Sequence, residues 1–131
     1  MNRKDVPIDL SQVYHSLSAS RRCHVIRILE SSDENSLSVR SLAREVTSIE
    51  EGVPRKCATG GPYHNVYNAL SQTHLSTLSE ADIIIYDSDR QMIAAGPNLV
   101  VASLILVLNK VTYQTLQGHS VIESVNFGDH Q

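Results

Sequence analysis

Apolar positions recur along this chain mostly at helical spacing. Leu10, Val13, Tyr14 and Leu17 fall three or four residues apart, and Asp9 ahead of them is a suitable N-cap, which predicts a first helix through Leu17. Val25, Ile26, Ile28 and Leu29 alternate with Arg21, Arg22 and Arg27 in a second helix, capped by Ser18 or Ser20 and running to about Glu30. The polar run SSDENS at 31–36 ends it. Leu37 and Ser38 suit a very short strand, and Ser38 is placed to cap a third helix from Val39. Leu42, Ala43 and Val46 give that helix its apolar stripe, and it continues toward Glu51.

Residues 52–62 (GVPRKCATGGP) hold two prolines and three glycines and read as a loop, longer than most connections in compact domains. Pro62 suits the first turn of a fourth helix, where a missing N–H costs nothing. At about 100° per residue, Tyr63, Val66, Tyr67, Leu70, His74, Leu78 and Ala81 share one side of it. Asn65, Asn68, Gln72, Ser76 and Ser79 share the other. Residues 83–86 (IIIY) and 91–94 (QMIA) then read as two strands joined by a turn at 87–90, a β-hairpin. Gly96, Pro97 and Asn98 break the chain before a last helix from Leu99 to about Leu116.

Three helices followed by a hairpin are the outline of a winged helix-turn-helix, in which one helix enters the major groove and the hairpin reaches the adjacent backbone. The predicted fold is therefore mostly α with a small β-hairpin. It divides into an arm (1–8), a winged-helix domain (9–95), a dimerisation helix (96–117) and a tail (118–131). The helix from Tyr63 precedes the hairpin directly and is the recognition-helix candidate; the helix from Val39 would brace it.

Composition narrows this only modestly. A chain of 131 residues with 41% hydrophobic content fits one domain, and five Tyr, one Phe and no Trp leave Leu, Ile, Val and Ala to build the core. Cys23 and Cys57 form neither a metal motif nor a disulfide framework, and Cys23 reads as a small buried residue. The N-terminus MNRKDVPIDL has no apolar signal region. The apolar run at 99–108 is shorter than the ~20 residues of a membrane helix. A soluble, cytoplasmic protein with no membrane partner is expected.

The segments 17–29 (LSASRRCHVIRIL), 66–78 (VYNALSQTHLSTL) and 85–90 (IYDSDR) carry a resemblance. The first resembles the "L-S-x-x-R-R-x-x-V-L-x-x-L" helix of archaeal winged-helix regulators related to the ArsR type. The other two are similar to the "V-Y-x-x-L-x-Q-T-H-L-P-x-L … Y-D-x-D-R" pattern of a haloarchaeal winged-helix domain of unknown function. The resemblance covers roughly residues 9–95 and implies a transcription-regulator role. Where that pattern has Lys or Arg just before the "V-Y" pair, this chain has His64 and Asn65.

Charge bears on which residues would meet DNA. The net charge is −3, and residues 61–131 hold only Arg90 and Lys110 against six acids. Residues 1–30 hold Arg3, Lys4, Arg21, Arg22 and Arg27 against three acids. No formally charged residue occurs from Cys57 through Ser79, so the fourth helix supplies none of the phosphate attraction behind non-specific binding. It offers Asn65, Asn68 and Gln72, with His64 beside them, and Asn and Gln can pair with adenine in the major groove. A plain solvated polar face is the alternative. Positive charge would come from Arg40 and Arg44 on the bracing helix, Arg55 and Lys56 in the loop, and Arg90 at the hairpin tip. For Arg90 the other option is a salt bridge with Asp87 or Asp89. Arg21 and Arg22 would clamp a phosphate or pair with surface acids.

His74 reads as a hydrogen-bonded core residue. No His, Cys and carboxylate spacing supports a metal, and no cofactor or catalytic motif is present, so an enzyme is not expected. The last helix is apolar nearly all round. Leu99, Val100, Leu104, Val107, Leu108 and Val111 are its candidate homodimer contacts, matching a two-fold, palindromic site on double-stranded DNA; the alternative is that this helix packs within the subunit on the first helix. Two other readings stay open: a winged-helix protein-interaction module without DNA binding, and a small-molecule sensor with its ligand at the dimer interface.

Overall fold

The computed structural model describes residues 8–118; the arm at 1–7, with Arg3 and Lys4, and the tail at 119–131 lie outside the described residues. Helix α1 (Leu10–Ser16) starts at Asp9, whose Oδ1 accepts the Gln12 N–H at 3.2 Å. Helix α2 (Ser20–Ser31) is not capped by either serine expected to cap it. Ala19 holds the N-cap position in extended geometry, and Ser18 instead donates to the His15 carbonyl at 2.7 Å. Strand β1 (Ser36–Ser38) leads directly into α3 (Val39–Glu51), where Ser38 Oγ accepts the Ser41 N–H at 3.0 Å. Gly52 closes α3 in the left-handed conformation, φ 65°, that glycine adopts without steric cost.

The loop after α3 is shorter than its composition suggests. It contains a 3₁₀ turn (Arg55–Cys57), and α4 (Gly60–Ala69) begins before Pro62, so Gly60, Gly61 and Pro62 belong to the first helical turn. A π-helical turn (Leu70–His74) then joins α4 to α5 (Leu75–Glu80) in one rod, with the Leu75 N–H donating to Leu70 O. The π turn adds one residue to the repeat. Inward positions therefore run Val66, Leu70, Leu75 and Leu78, and Leu75 takes the buried place that uniform periodicity assigns to His74.

Strands β2 (Ile84–Asp87) and β3 (Met92–Ala95) each begin one residue later than the pattern suggested, which leaves Gln91 in the turn. They pair antiparallel with Ile84 opposite Ala95 and Asp87 opposite Met92. Strand β1 adds to the other edge of β3, Leu37 opposite Ile93, giving a three-stranded sheet in the order β1-β3-β2. The fold is mostly α with a small antiparallel sheet. Its core is aliphatic: Val25, Ile26, Leu42, Val46, Leu70, Leu75, Leu78 and Ile83 are all completely buried. Cys23 is half-buried, its thiol reaching the Leu17 carbonyl at 3.4 Å.

Helix α6 (Leu99–Leu116) packs on α2 through one face only. Leu99, Ala102 and Ile105 are buried there, whereas Val100, Leu104, Val107, Leu108 and Val111 are exposed. Leu99 thus belongs to the subunit's own core and leaves the set of dimer contacts. The helix is also longer than the apolar run at 99–108. At 18 residues it is long and apolar enough, by length and composition alone, to cross a membrane.

Candidate nucleic-acid interface

The outward face of α4 and of the turn after it carries amides. Asn65, Asn68 and Gln72 are exposed, His64 lies exposed beside them, and none of the three amide side chains hydrogen-bonds to another described residue. The helix is held to the body by Val66 and Leu70, so its polar side has nowhere to turn but outward.

The cations expected nearby cluster one helix away. Arg40, Arg44 and Arg55 line a groove of about 690 Å³ between α3 and the start of α4, together with Ser41, Thr59, Gly60, Tyr63, His64 and Tyr67. Arg55 is tethered: Nε lies 3.3 Å from Glu45 Oε1, and Nη2 donates to Ser41 Oγ at 2.6 Å. Among the described residues, no carboxylate pairs with Arg40 or Arg44. They stand one helical turn apart, so their guanidinium groups share a face. Lys56 is exposed but lies outside the groove lining.

Arg90 projects from the turn between β2 and β3. Its side chain makes no salt bridge with Asp87 or Asp89; Asp87 Oδ1 accepts the Arg90 backbone N–H at 3.1 Å, which fixes the turn and leaves the guanidinium exposed. Gln91, which the sequence marked only as a strand residue, ties this turn to the rest. Its Oε1 accepts from Tyr67 OH at 2.9 Å and from Ser71 Oγ at 3.4 Å, while Nε2 donates to Tyr86 OH at 3.1 Å and to Ser88 O at 2.8 Å. Its carbonyl also accepts the Val39 N–H at 2.9 Å. Gln91 holds φ at 54°, unusual for a non-glycine residue, and these bonds over-determine it. Neither period nor composition signals such a hub.

The two arginines assigned to phosphate are engaged elsewhere. Arg22 is 6% exposed and donates from Nε to Ser16 O at 2.7 Å, and from Nη2 to His15 O at 3.3 Å and Ser18 Oγ at 3.2 Å. Its Nη1 lies 3.1 Å from His74 Nδ1. A buried guanidinium satisfying the carbonyls at the end of α1 is a structural staple, not a phosphate clamp. Arg21 forks onto Glu50 at 2.7 and 3.0 Å, a surface pair between α2 and α3. That hydrogen bond holds the Glu50 carboxyl below its ordinary range and raises Arg21. His74 is half-buried, so the expected hydrogen bond is present but the core position is not. Its pKa is lowered, first by burial and then by Arg22 and Arg21. Burial also lowers His24 and raises the Cys23 thiol. No group of His, Cys, Asp and Glu among the described residues is arranged to hold a metal ion.

Segments 17–29 and 66–78, which carry the sequence resemblance, therefore meet in space at the Arg22–His74 contact. A scan against protein families matches residues 14–94 to one described as a domain of unknown function, DUF7344. Searches of curated proteins and of solved structures find no match.

Proposed function

The chain belongs to the DUF7344 family of unknown function, and we propose that it is a cytoplasmic, dimeric DNA-binding transcriptional regulator of the winged helix-turn-helix type. The observation that carries this reading is the exposed amide face of α4 and the turn after it, without a hydrogen bond among the described residues, flanked by two sets of cations with no carboxylate partner among those residues. Arg40 and Arg44 stand on α3, Arg90 on the turn after β2. In this assignment α3 and α4 form the helix-turn-helix and the β2–β3 hairpin is the wing. Asn65, Asn68 and Gln72 read base edges, and the arginines meet phosphates. Gln91 keeps wing and recognition helix in fixed relation.

Two copies meet through α6. Val100, Leu104, Val107, Leu108 and Val111 repeat at helical spacing on the face turned away from the body. A bilayer would compete for the same stripe, but Leu99, Ala102 and Ile105 anchor the other face in the domain core. Withdrawing them into lipid would empty that core, which favours a second subunit.

The test is a fluorescence-anisotropy titration with genomic duplex fragments across salt concentrations. Affinity should fall linearly on log–log axes, with a slope of about −0.9 per phosphate neutralised. Asn68→Ala and Gln72→Ala should relax sequence preference, each lost bidentate contact removing about 1–3 kcal/mol of discrimination. Arg90→Ala should weaken all sequences alike and flatten the slope by about 1. A folded protein that ignores DNA at low salt supports the second reading, a protein-interaction module, which the uncharged stretch from Cys57 through Ser79 favours.

A further inference from the structure

The groove between α3 and α4 has features that a passing DNA backbone alone does not require. Its volume of about 690 Å³ falls in the range of small-molecule sites, about 300–1,000 Å³. One wall is cationic, with Arg40 and Arg44 unpaired among the described residues and Arg55 fixed in place by Glu45 and Ser41. The other is aromatic: His64 stands edge-on to Tyr63 with ring centroids 5.4 Å apart, and Tyr67 lies 6.1 Å beyond. Among the described residues, no carboxylate lines the groove. At its end α4 begins without a side-chain cap from Thr59, and the space over Gly60 and Gly61 is open.

We propose that this groove binds a nucleoside monophosphate unit, with the phosphate on Arg40 and Arg44 and the base against Tyr63 and His64. Guanidinium groups one helical turn apart match phosphate oxygens in fork geometry, which a single point charge does not. The uncapped start of α4 adds backbone N–H donors and the positive end of a helix dipole. Aromatic rings beside the cations select a planar base over a bare anion. The nucleotide unit has two sources, a free mononucleotide or a strand of DNA. The site itself stands on the groove; only its consequence rests on the DNA-binding reading above. That consequence is competition, since a free nucleotide and a duplex would claim the same arginines.

The experiment is calorimetric titration of the full chain with adenosine 5′-monophosphate, adenosine and inorganic phosphate. Displacement of a labelled duplex by the monophosphate follows. The monophosphate should bind at least tenfold more tightly than either fragment. Arg40→Gln with Arg44→Gln, both at exposed or half-exposed helix positions, should weaken it tenfold or more. Tyr63→Leu should bring it down to the level of inorganic phosphate. Because Tyr63 packs partly on the core, His64→Ala at an exposed site provides a second ring deletion, expected to cost several-fold. Binding of the monophosphate without duplex binding sinks the regulator reading and leaves the groove a free-nucleotide site. Binding of single-stranded DNA that depends on Arg40, Arg44 and the two rings, without free-nucleotide binding, assigns the strand as source, because a paired duplex keeps its base faces stacked. Equal, weak binding of all three probes, or binding indifferent to the arginine pair, with duplex affinity indifferent to it too, overturns the proposal.

Discussion

Replacing Arg22 by Met separates a structural arginine from a DNA-contacting one. The side chain is nearly as long and keeps the apolar stem packed, but removes every donor. Lost with it are the Nε bond to Ser16 O, the Nη2 bonds to His15 O and Ser18 Oγ, and the Nη1 contact with His74. Hydrogen bonds from a charged donor are worth about 1.5–3 kcal/mol each, and an orphaned buried acceptor costs about 1–3 kcal/mol. Against this, the folded state no longer has to desolvate a guanidinium that no carboxylate among the described residues neutralises, and buried charges replaced by apolar groups are often neutral or stabilising. One short bond at 2.7 Å and three longer ones at 3.1, 3.2 and 3.3 Å, less that desolvation relief, leave a net loss of about 2–4 kcal/mol.

Chemical denaturation with urea reads this directly, as a lower midpoint at unchanged slope. For a domain of this size about 2–4 kcal/mol lowers Tm by roughly 8–16 °C. The same variant, assayed well below its Tm, should bind duplex DNA with the parent's affinity and salt slope. Arg22→Lys should fare little better than Met, because one ammonium cannot span carbonyls of α1 and the ring of α5's neighbouring turn at once. A stability change below about 0.5 kcal/mol, the usual scatter of a surface substitution, refutes the staple. A folded variant whose salt slope drops by about one phosphate restores Arg22 to the DNA-contacting set.

Other perturbations test other links. The exposed stripe on α6 offers roughly 1 kcal/mol per half-exposed side chain, or about 10 kcal/mol over two copies, against an association cost of about 4–15 kcal/mol. Leu104→Asp with Leu108→Asp should therefore yield monomers by sedimentation equilibrium and weaken DNA binding; a persistent dimer, or a monomeric parent at 100 micromolar, removes α6 as the interface. His74 and His24 both titrate below their ordinary value, so the folded state disfavours their protonated forms. Stability is present above about pH 6.5 and lost as pH falls through the lowered folded pKa. His74→Gln should flatten part of that loss, and an unchanged pH profile contradicts the assignment. Finally, a Cβ at Gly96 would meet Asp82 O at 2.5 Å and the Ile83 carbonyl carbon at 2.8 Å, where the Gly96 N–H donates to Ile83 O at 2.9 Å. Gly96→Ala should cost about 2–3 kcal/mol in urea denaturation, while Gly61→Ala, in open space, should cost nothing.

Local chemistry was legible where one side chain decides the structure. Asp9 and Ser38 cap the helices they precede, because a short polar acceptor ahead of an apolar repeat has few other uses. What sequence could not show depends on partners distant along the chain. Arg22 reads as a surface charge until the carbonyls of Ser16 and His15 are brought over it. Leu75 reads as an interruption of the repeat, because a uniform period has no place for the extra residue of a π turn. Once that turn is included, Leu70 and Leu75, five apart, become consecutive inward positions and His74 moves to the edge where Arg22 meets it.

The same displacement bears on how an acidic chain would hold DNA. A recognition helix carrying its own lysines binds any duplex through phosphate attraction, and base readout then adds to an already substantial non-specific affinity. Here the amides of Asn65, Asn68 and Gln72 are separated from the cations on α3, and Gln91 fixes the turn that bears Arg90 relative to α4. In the proposed complex, charge would contribute fully only when the amide face is seated deeply enough to bring backbone phosphates to Arg40, Arg44 and Arg90 together. Such a division would trade non-specific affinity for discrimination. It makes the ratio of specific to non-specific binding, measured at one salt concentration, the quantity on which the proposed function turns.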